Sequence, residues 1–234
     1  MVVPDPIALG VPGNPSRFIY ITGCDGTGKS TQARLLIKQL QSLGIRVCHI
    51  WLRFPFFFCL PWLAYARWQG YSWYEESGDV RHGYWDFRCS WMMRQVFPWL
   101  LLFDAVLAAA WRIYLPLLSG KTLVCERFII DMLADLAVAL DDMEFYRKLP
   151  GRLYFRLLPS KSKLYILDLD PESIRSRRPD LISDNNLANR LQAFRCLAEG
   201  MCYPQLSSQP SIVDLNNHLC NDLFPAHARD IQDA

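Results

Sequence analysis

An α/β fold is predicted for this chain: a central, mainly parallel five-stranded sheet between two layers of helices. Three observations predict it. The apolar run Phe18-Ile19-Tyr20-Ile21 leads straight into Gly23-Cys24-Asp25-Gly26-Thr27-Gly28-Lys29-Ser30, a strand entering a glycine-rich turn. Apolar residues at Ala33, Leu36, Ile37, Leu40 and Leu43 then recur at helical spacing, and Gly44 closes the run as a C-terminal cap. Beyond them, short β-branched or aromatic runs keep alternating with helical patterns, the arrangement of parallel strands joined by helical crossovers.

In chain order, strands are expected at residues 17–22, 45–52, 122–125, 164–169 and 212–214. The first helix is expected over 30–43, and a long one over 101–118 that the Ser119-Gly120 turn stops. Pro171 suits the opening of a short helix, because its missing N–H is one that a first turn leaves unbonded anyway. A longer helix is read over 185–203 and a closing one from His218 onward. Residues 1–16 carry four prolines and two glycines, so no regular element is expected and the segment reads as a loose arm. The rest, 17–234, reads as a single domain of a size that buries a substantial core.

Residues 54–95 are the least regular stretch and are rich in Trp, Tyr and Arg. Aromatic faces beside guanidinium groups, with Tyr84, Trp85 or Phe87 and Arg81, Arg88 or Arg94 as the candidates, could stack a base and hold a phosphate. The plainer and favoured reading is a half-buried helical subdomain with its arginines along the rim.

The formal net charge of +2 is too small to argue for wholesale nucleic-acid binding, and no long block of like charge appears. Eight cysteines are scattered without a C-x-x-C pair and no signal peptide is evident, which fits a reducing, cytoplasmic setting. Residues 54–66 and 96–111 are strongly apolar, yet both fall short of the roughly 18 uninterrupted apolar residues a spanning helix needs. The first is broken by Pro55 and Pro61, and the second would place Asp104 at mid-bilayer. Buried core is the favoured reading of both, with surface membrane contact or a partner groove as the alternative. The segment 96–111 also offers a homodimer face.

The glycine-rich stretch fits the phosphate-binding pattern G-x-x-x-x-G-K-[ST] in the context that gives it force, a strand behind and a helix in front. In such a P-loop NTPase arrangement the backbone amides of Gly23 to Thr31 cradle the phosphates of ATP. Lys29 bridges the β- and γ-oxygens, and the Ser30 hydroxyl ligates Mg²⁺. Asp25 would be repelled by those phosphates, so its carboxylate must point away, toward a second substrate or a structural partner. Arg53, Arg127 and the trio Arg175, Arg177 and Arg178 supply positive charge from three separate segments, as transfer of a phosphoryl group requires. Plainer roles stay open: Arg127 in an ion pair with Glu126 or Asp131, Arg53 on the surface at a strand end, the trio in a solvated helix end.

Several motifs together resemble the thymidylate kinase family. Gly23 through Gln32 is similar to its phosphate loop, in which an Asp at the place of Asp25 contacts the sugar of the acceptor deoxynucleotide. Arg53-Phe54-Pro55 resembles the family's Arg-x-Pro, whose Arg holds the acceptor phosphate. Residues 117–128, ending in Glu126-Arg127-Phe128, are similar to its third strand and Asp-Arg-Tyr signature. Residues 158–172, with Arg175, Arg177 and Arg178 after them, resemble its fourth strand and lid, here about residues 171–186, and residues 211–214 sit where its last strand lies. The resemblance implies a Mg²⁺-dependent phosphotransferase of nucleotide biosynthesis that moves the ATP γ-phosphate to a nucleoside monophosphate, dTMP first. It implies Lys29, Arg53, Arg127 and the lid arginines as catalytic groups, Asp25, Arg53 and Arg127 as acceptor-binding groups, and Ser30 and Glu126 as metal ligands. Because no basic residue lies inside the loop between Gly23 and Lys29, the lid arginines are expected to supply the charge on lid closure.

The chain also departs from that pattern. Glu126 stands in place of Asp, with one more methylene of reach. The helix before the third strand has no Arg ahead of Arg112 where the family presents one to the acceptor, so the acceptor is less defined than the donor. Asp131 and Asp135, one helical turn apart, read equally as ligands of sugar hydroxyls or as exposed charges. The histidines at 49, 82, 218 and 227 have no metal-like spacing and read as non-catalytic. Two other functions fit the same loop: a kinase for a lipid-linked or modified-nucleotide acceptor, and a nucleotide-dependent regulatory module.

Overall fold

Strand β1 (Phe18–Gly23) is buried along its whole length, which explains its unbroken apolar run: a central parallel strand is covered on both faces. A computed structural model describes residues 16–54, 57–77, 80–209 and 211–223. Nearly all of the expected arm, together with Pro55 and Phe56, lies outside those residues, as does the side chain of Arg81. After β1 come α1 (Lys29–Ser42), β2 (Val47–Trp51), α2 (Cys59–Trp68), β3 (Ser72–Ser77), β4 (Val80–Trp85) and α3 (Trp91–Ala109). Then follow α4 (Leu115–Leu118), β5 (Thr122–Glu126), α5 (Ile129–Leu140), α6 (Leu149–Phe155), β6 (Ser162–Asp168) and α7 (Pro171–Arg177). The described chain closes with α8 (Leu187–Gly200), β7 (Gln205–Ser207) and α9 (Ile212–Leu223).

Five strands form one parallel sheet in the order β2-β5-β1-β6-β7. Alternation along β1 sends Phe18 and Tyr20 into the core under α3, α5 and α8, and Ile19 and Ile21 into the core under α1 and α9. The sheet is therefore the middle of three layers. All eight cysteines are free.

Three expectations need correction. Residues 212–214 are not a strand but the first turn of α9, and the fifth strand is β7. Ile212 and Val213 are exposed, whereas Leu215, Leu219 and Leu223 bury one helical face. Ser211 caps that helix by accepting from the Asp214 N–H at 3.1 Å. The 3.6-residue spacing and the cap were the stronger signals, and the β-branched pair was misleading. Residues 54–95 are not a purely helical subdomain, because β3 and β4 form an antiparallel hairpin. The long helix begins at Trp91, ten residues before its expected start, and runs through a π-helical turn at residues 110–114 into α4.

The buried-core reading of residues 96–111 holds for one face only. Leu101, Leu102, Ala105, Ala108 and Ala109 are buried, while Trp99, Phe103, Val106, Leu107 and Trp111 are exposed. Asp104, the charge inside the apolar run, is fully buried and satisfied: its carboxylate accepts from the Phe57, Phe58 and Cys59 amides at 2.9 to 3.0 Å. Those amides have no partner within α2, so the acid fastens that helix start to the middle of α3.

Candidate active site

The loop between β1 and α1 has the backbone that a phosphate cradle needs. Gly26 and Gly28 have φ of 87° and 89°, in the left-handed region that favours glycine. At Gly23 a Cβ would run into the Leu167 carbonyl, so glycine lets β1 and β6 meet closely there. Lys29, at the N-terminus of α1, is almost completely buried and donates to the Cys24 carbonyl at 2.6 Å. Burial holds its ammonium below the ordinary lysine value. Cys24, pushed up to about 11 mainly by burial, stays a neutral thiol.

Ser30 and Glu126 come together at the end of the central strands, with the hydroxyl donating to Glu126 Oε2 at 2.5 Å. The longer Glu side chain therefore reaches the loop. His49, which the sequence reading set aside, lies 2.7 Å from Glu126 Oε1. The useful signal was its position on β2, paired directly with β5 in the parallel sheet. An alcohol and a carboxylate oxygen beside a phosphate cradle are hard donors, and Mg²⁺ in such sites takes one or two protein oxygens with phosphates and water making up the rest. Ser30 and Glu126 fit that donor set.

With the loop's own Lys29 ammonium 3.8 Å away, the Asp25 carboxylate faces a knot of cations. Arg127 is ion-paired with it, Arg53 lies 3.7 Å away and Arg190 4.0 Å away. Arg53 is also 3.5 Å from Asp135, and its buried Nε has no hydrogen-bond partner among the described residues. Arg190, on the first turns of α8, pairs with Asp184 at 2.5 Å and was not singled out by sequence. Arg127 adopts φ of 60°, unusual for a residue with a side chain, as the chain turns from β5 into α5.

Asp135 faces the cleft, and Asp131 lies deeper behind Asp25, against Arg127 at 3.6 Å. Buried at 2% exposure, Asp131 accepts from Tyr20 and Thr22 through Oδ2, so it is not an exposed charge.

Beyond Asp25 opens a cleft of about 390 Å³. Arg53, Phe54 and Asp135 line one side, and Tyr74, His82, Tyr84 and Trp85 of the hairpin line another. Arg178, Asp180, Asp184, Asn186 and Arg190 complete it from the lid and α8. The aromatic segment therefore contributes cleft wall as well as core. Hairpin and lid are joined: His82 contacts the Asp180 carbonyl at 2.9 Å, and the Asn185 N–H donates to the Tyr84 hydroxyl at 3.3 Å.

The lid arginines separate in space. Arg178 lines the cleft and pairs with Asp180 at 2.6 Å. Arg177 donates to the Ser208 carbonyl at 2.9 Å beside β7, and Arg175 is exposed. Helix α7 lies against the loop itself, since a Cβ on Gly26 would meet Ile174 at 2.9 Å. Asp170 caps α7, and hydrogen bonds from Ser173 and Gln209 hold its carboxyl near 2, against an ordinary 3.8. A depressed carboxyl stabilises at pH above its unfolded value and loses that contribution as pH falls through its folded one. Amide exchange in α7, corrected for intrinsic rate, is therefore expected to lose protection between pH 4 and pH 2, and Asp170→Asn to remove that dependence. Equal protection in both proteins at both pH values would sink the assignment.

A parallel sheet of this order, with a glycine-rich loop running from its central strand into α1, defines a P-loop NTPase fold. Among solved structures it is similar to the crystal structure of thymidylate kinase from Ehrlichia chaffeensis, with a TM-score of 0.51 and 15% identity, covering 89% of this chain and 98% of that one. The fold is thymidylate kinase-like. No family model matches the sequence, and no curated protein matches it.

Proposed function

We propose that this chain is a nucleoside monophosphate kinase-like phosphotransferase, with dTMP as the leading acceptor. A phosphate oxygen of the acceptor attacks the γ-phosphorus of ATP, the bond to the β,γ-bridging oxygen breaks, and ADP leaves with the electron pair. Lys29 and the loop amides hold the donor phosphates. Mg²⁺, held by Ser30 and Glu126, would neutralise charge on the β- and γ-oxygens.

The observation that carries the reading is Arg53. It stands between donor loop and cleft, its ion pairs to Asp25 and Asp135 are long, and its buried Nε is unpartnered among the described residues. Such a guanidinium is an open seat for a second phosphate, and a planar fork binds that group in two places at once. Arg127 and Arg178 are the other groups positioned to share its charge.

The test is a screen of nucleoside monophosphates with ATP and Mg²⁺, following the phosphorylated product. dTDP is expected from dTMP, with Arg53→Ala raising the acceptor KM by at least tenfold, the scale of one charge-assisted hydrogen bond, about 1.5 to 3 kcal/mol. ATP turnover that needs none of the monophosphates would move the assignment to another phosphate acceptor or to a nucleotide-dependent switch.

A further inference from the structure

The carboxylate of Glu126 is held from two sides, and only one of them belongs to the phosphate loop. The Ser30 hydroxyl donates to Oε2 at 2.5 Å, and His49 Nε2 stands 2.7 Å from Oε1. We propose that His49 is a positioning residue, which keeps the Glu126 carboxylate aimed at the divalent cation of the phosphoryl-transfer site. This role rests on the kinase reading above and adds to it a residue that acts only through another side chain.

Strand register brings the two side chains together. In the parallel pair of β2 and β5, His49 stands opposite Val124 and Trp51 opposite Glu126. His49 and Glu126 are therefore diagonal neighbours on the face of the sheet whose core, Val124 included, lies under α1 and α9. Strand side chains lean along the strand, which closes the offset. Because β2 is the outer strand, the His49 side chain is 42% exposed, while that of Glu126 is 3% exposed. An ionised carboxylate offers only acceptors, so the ring N–H at Nε2 donates to it.

The need for a second hold follows from the residue at position 126. Glu has one more rotatable bond than Asp, so its carboxylate has more positions to give up before it serves one site. Ser30 restricts it here, but in the kinase reading the same hydroxyl becomes a ligand of the cation. The bond from His49 comes from the sheet and remains when Ser30 is drawn to the metal. Holding the strands together does not require it, since β2 and β5 are already joined by a backbone ladder that runs through Trp51 and Glu126. Outer partners of this kind orient ligating carboxylates, and losing one weakens metal binding by roughly 10- to 100-fold.

The experiment titrates Mn²⁺ into the full chain saturated with a non-hydrolysable ATP analogue and follows free metal by electron paramagnetic resonance, which reads metal affinity without turnover. His49→Ala is expected to weaken Mn²⁺ binding about tenfold, the low end of that range because phosphates supply much of the coordination. His49→Gln, which keeps an N–H at similar reach, is expected to recover most of the loss. With the metal chelated, all three proteins should bind the analogue equally, because the bond acts on the carboxylate and not on the phosphate cradle. Parental Mn²⁺ affinity in His49→Ala overturns the proposal alone. So does an equal loss in both variants, which assigns the effect to the bulk of the ring, or a matching loss of analogue binding without metal, which assigns it to the loop. A nitrogen coupling to Mn²⁺ in spin-echo spectra that His49→Gln removes makes His49 a ligand and likewise overturns it. A parent that binds no more Mn²⁺ than the analogue does by itself overturns the kinase reading and the proposal together.

Discussion

Lys29→Ala is expected to lower kcat/KM for ATP-dependent transfer about 10³-fold while leaving the protein folded. The two halves of that expectation have one cause. Lys29 is buried at the foot of the loop, its ammonium is depressed by desolvation, and its short contact is a single bond to the Cys24 carbonyl. Desolvation opposes that charge, while Asp25 at 3.8 Å and the nearby Asp131 and Glu126 carboxylates favour it, so the two effects on folding offset one another in part. The same ammonium gains its partners when phosphates enter, and removing one preorganised charge from a phosphoryl-transfer site costs two to three orders of magnitude. Turnover assays measure the first half, and thermal melts with and without ATP the second. The variant should still melt cooperatively in buffer and lose the upward shift that nucleotide gives the parent. Transfer within tenfold of the parent would rule out the role assigned to Lys29.

What could be read before the structure depended on sequence distance. The phosphate loop is eight consecutive residues between a strand and a helix, so pattern and geometry coincide. Arg53 and Arg127 were found because each follows a strand that ends at the loop. Arg190 was not, since its approach to Asp25 joins positions 165 residues apart through the packing of α8 on the sheet. The hairpin was missed for another reason: its cross-strand pairs, such as Trp73 with Tyr84 and Tyr74 with Gly83, mix aromatic and small residues, so no period-two alternation shows along either strand. Asp104 looked like an obstacle to burial because sequence gives no sign of the three amides, more than forty residues earlier, that it satisfies.

Asp131 is the clearest such case, and its removal is expected to have the largest effect on stability. Its Oδ2 accepts from the Thr22 hydroxyl at 2.7 Å, the Tyr20 hydroxyl at 3.0 Å and the Phe128 N–H at 3.2 Å, all in the core. The Tyr20 hydroxyl in turn accepts from the Phe128 and Ile130 amides at 2.9 and 3.1 Å. One carboxylate thus fastens the central strand to the first turn of α5. Tyr20 remains the donor throughout the working range, because burial and the adjacent Asp131 push its phenol well above the ordinary value. Asp131→Ala leaves two buried hydroxyls without an acceptor, opens a cavity and takes away the nearby partner of Arg127, 3.6 Å from Asp131. Breaking a buried charged network by deleting one member costs about 3 to 5 kcal/mol, a large share of a domain's total. Asp131→Asn keeps an acceptor oxygen for the hydroxyls and should lose less than half as much. Urea unfolding of the three proteins gives the comparison, with unchanged m-values as the check that only the folded state has changed. A loss under about 1 kcal/mol for Asp131→Ala would mean that the hydroxyls find other partners. If the order holds, the acceptor KM of Asp131→Asn should still rise, since Arg127 then turns beside Asp25 without its second carboxylate.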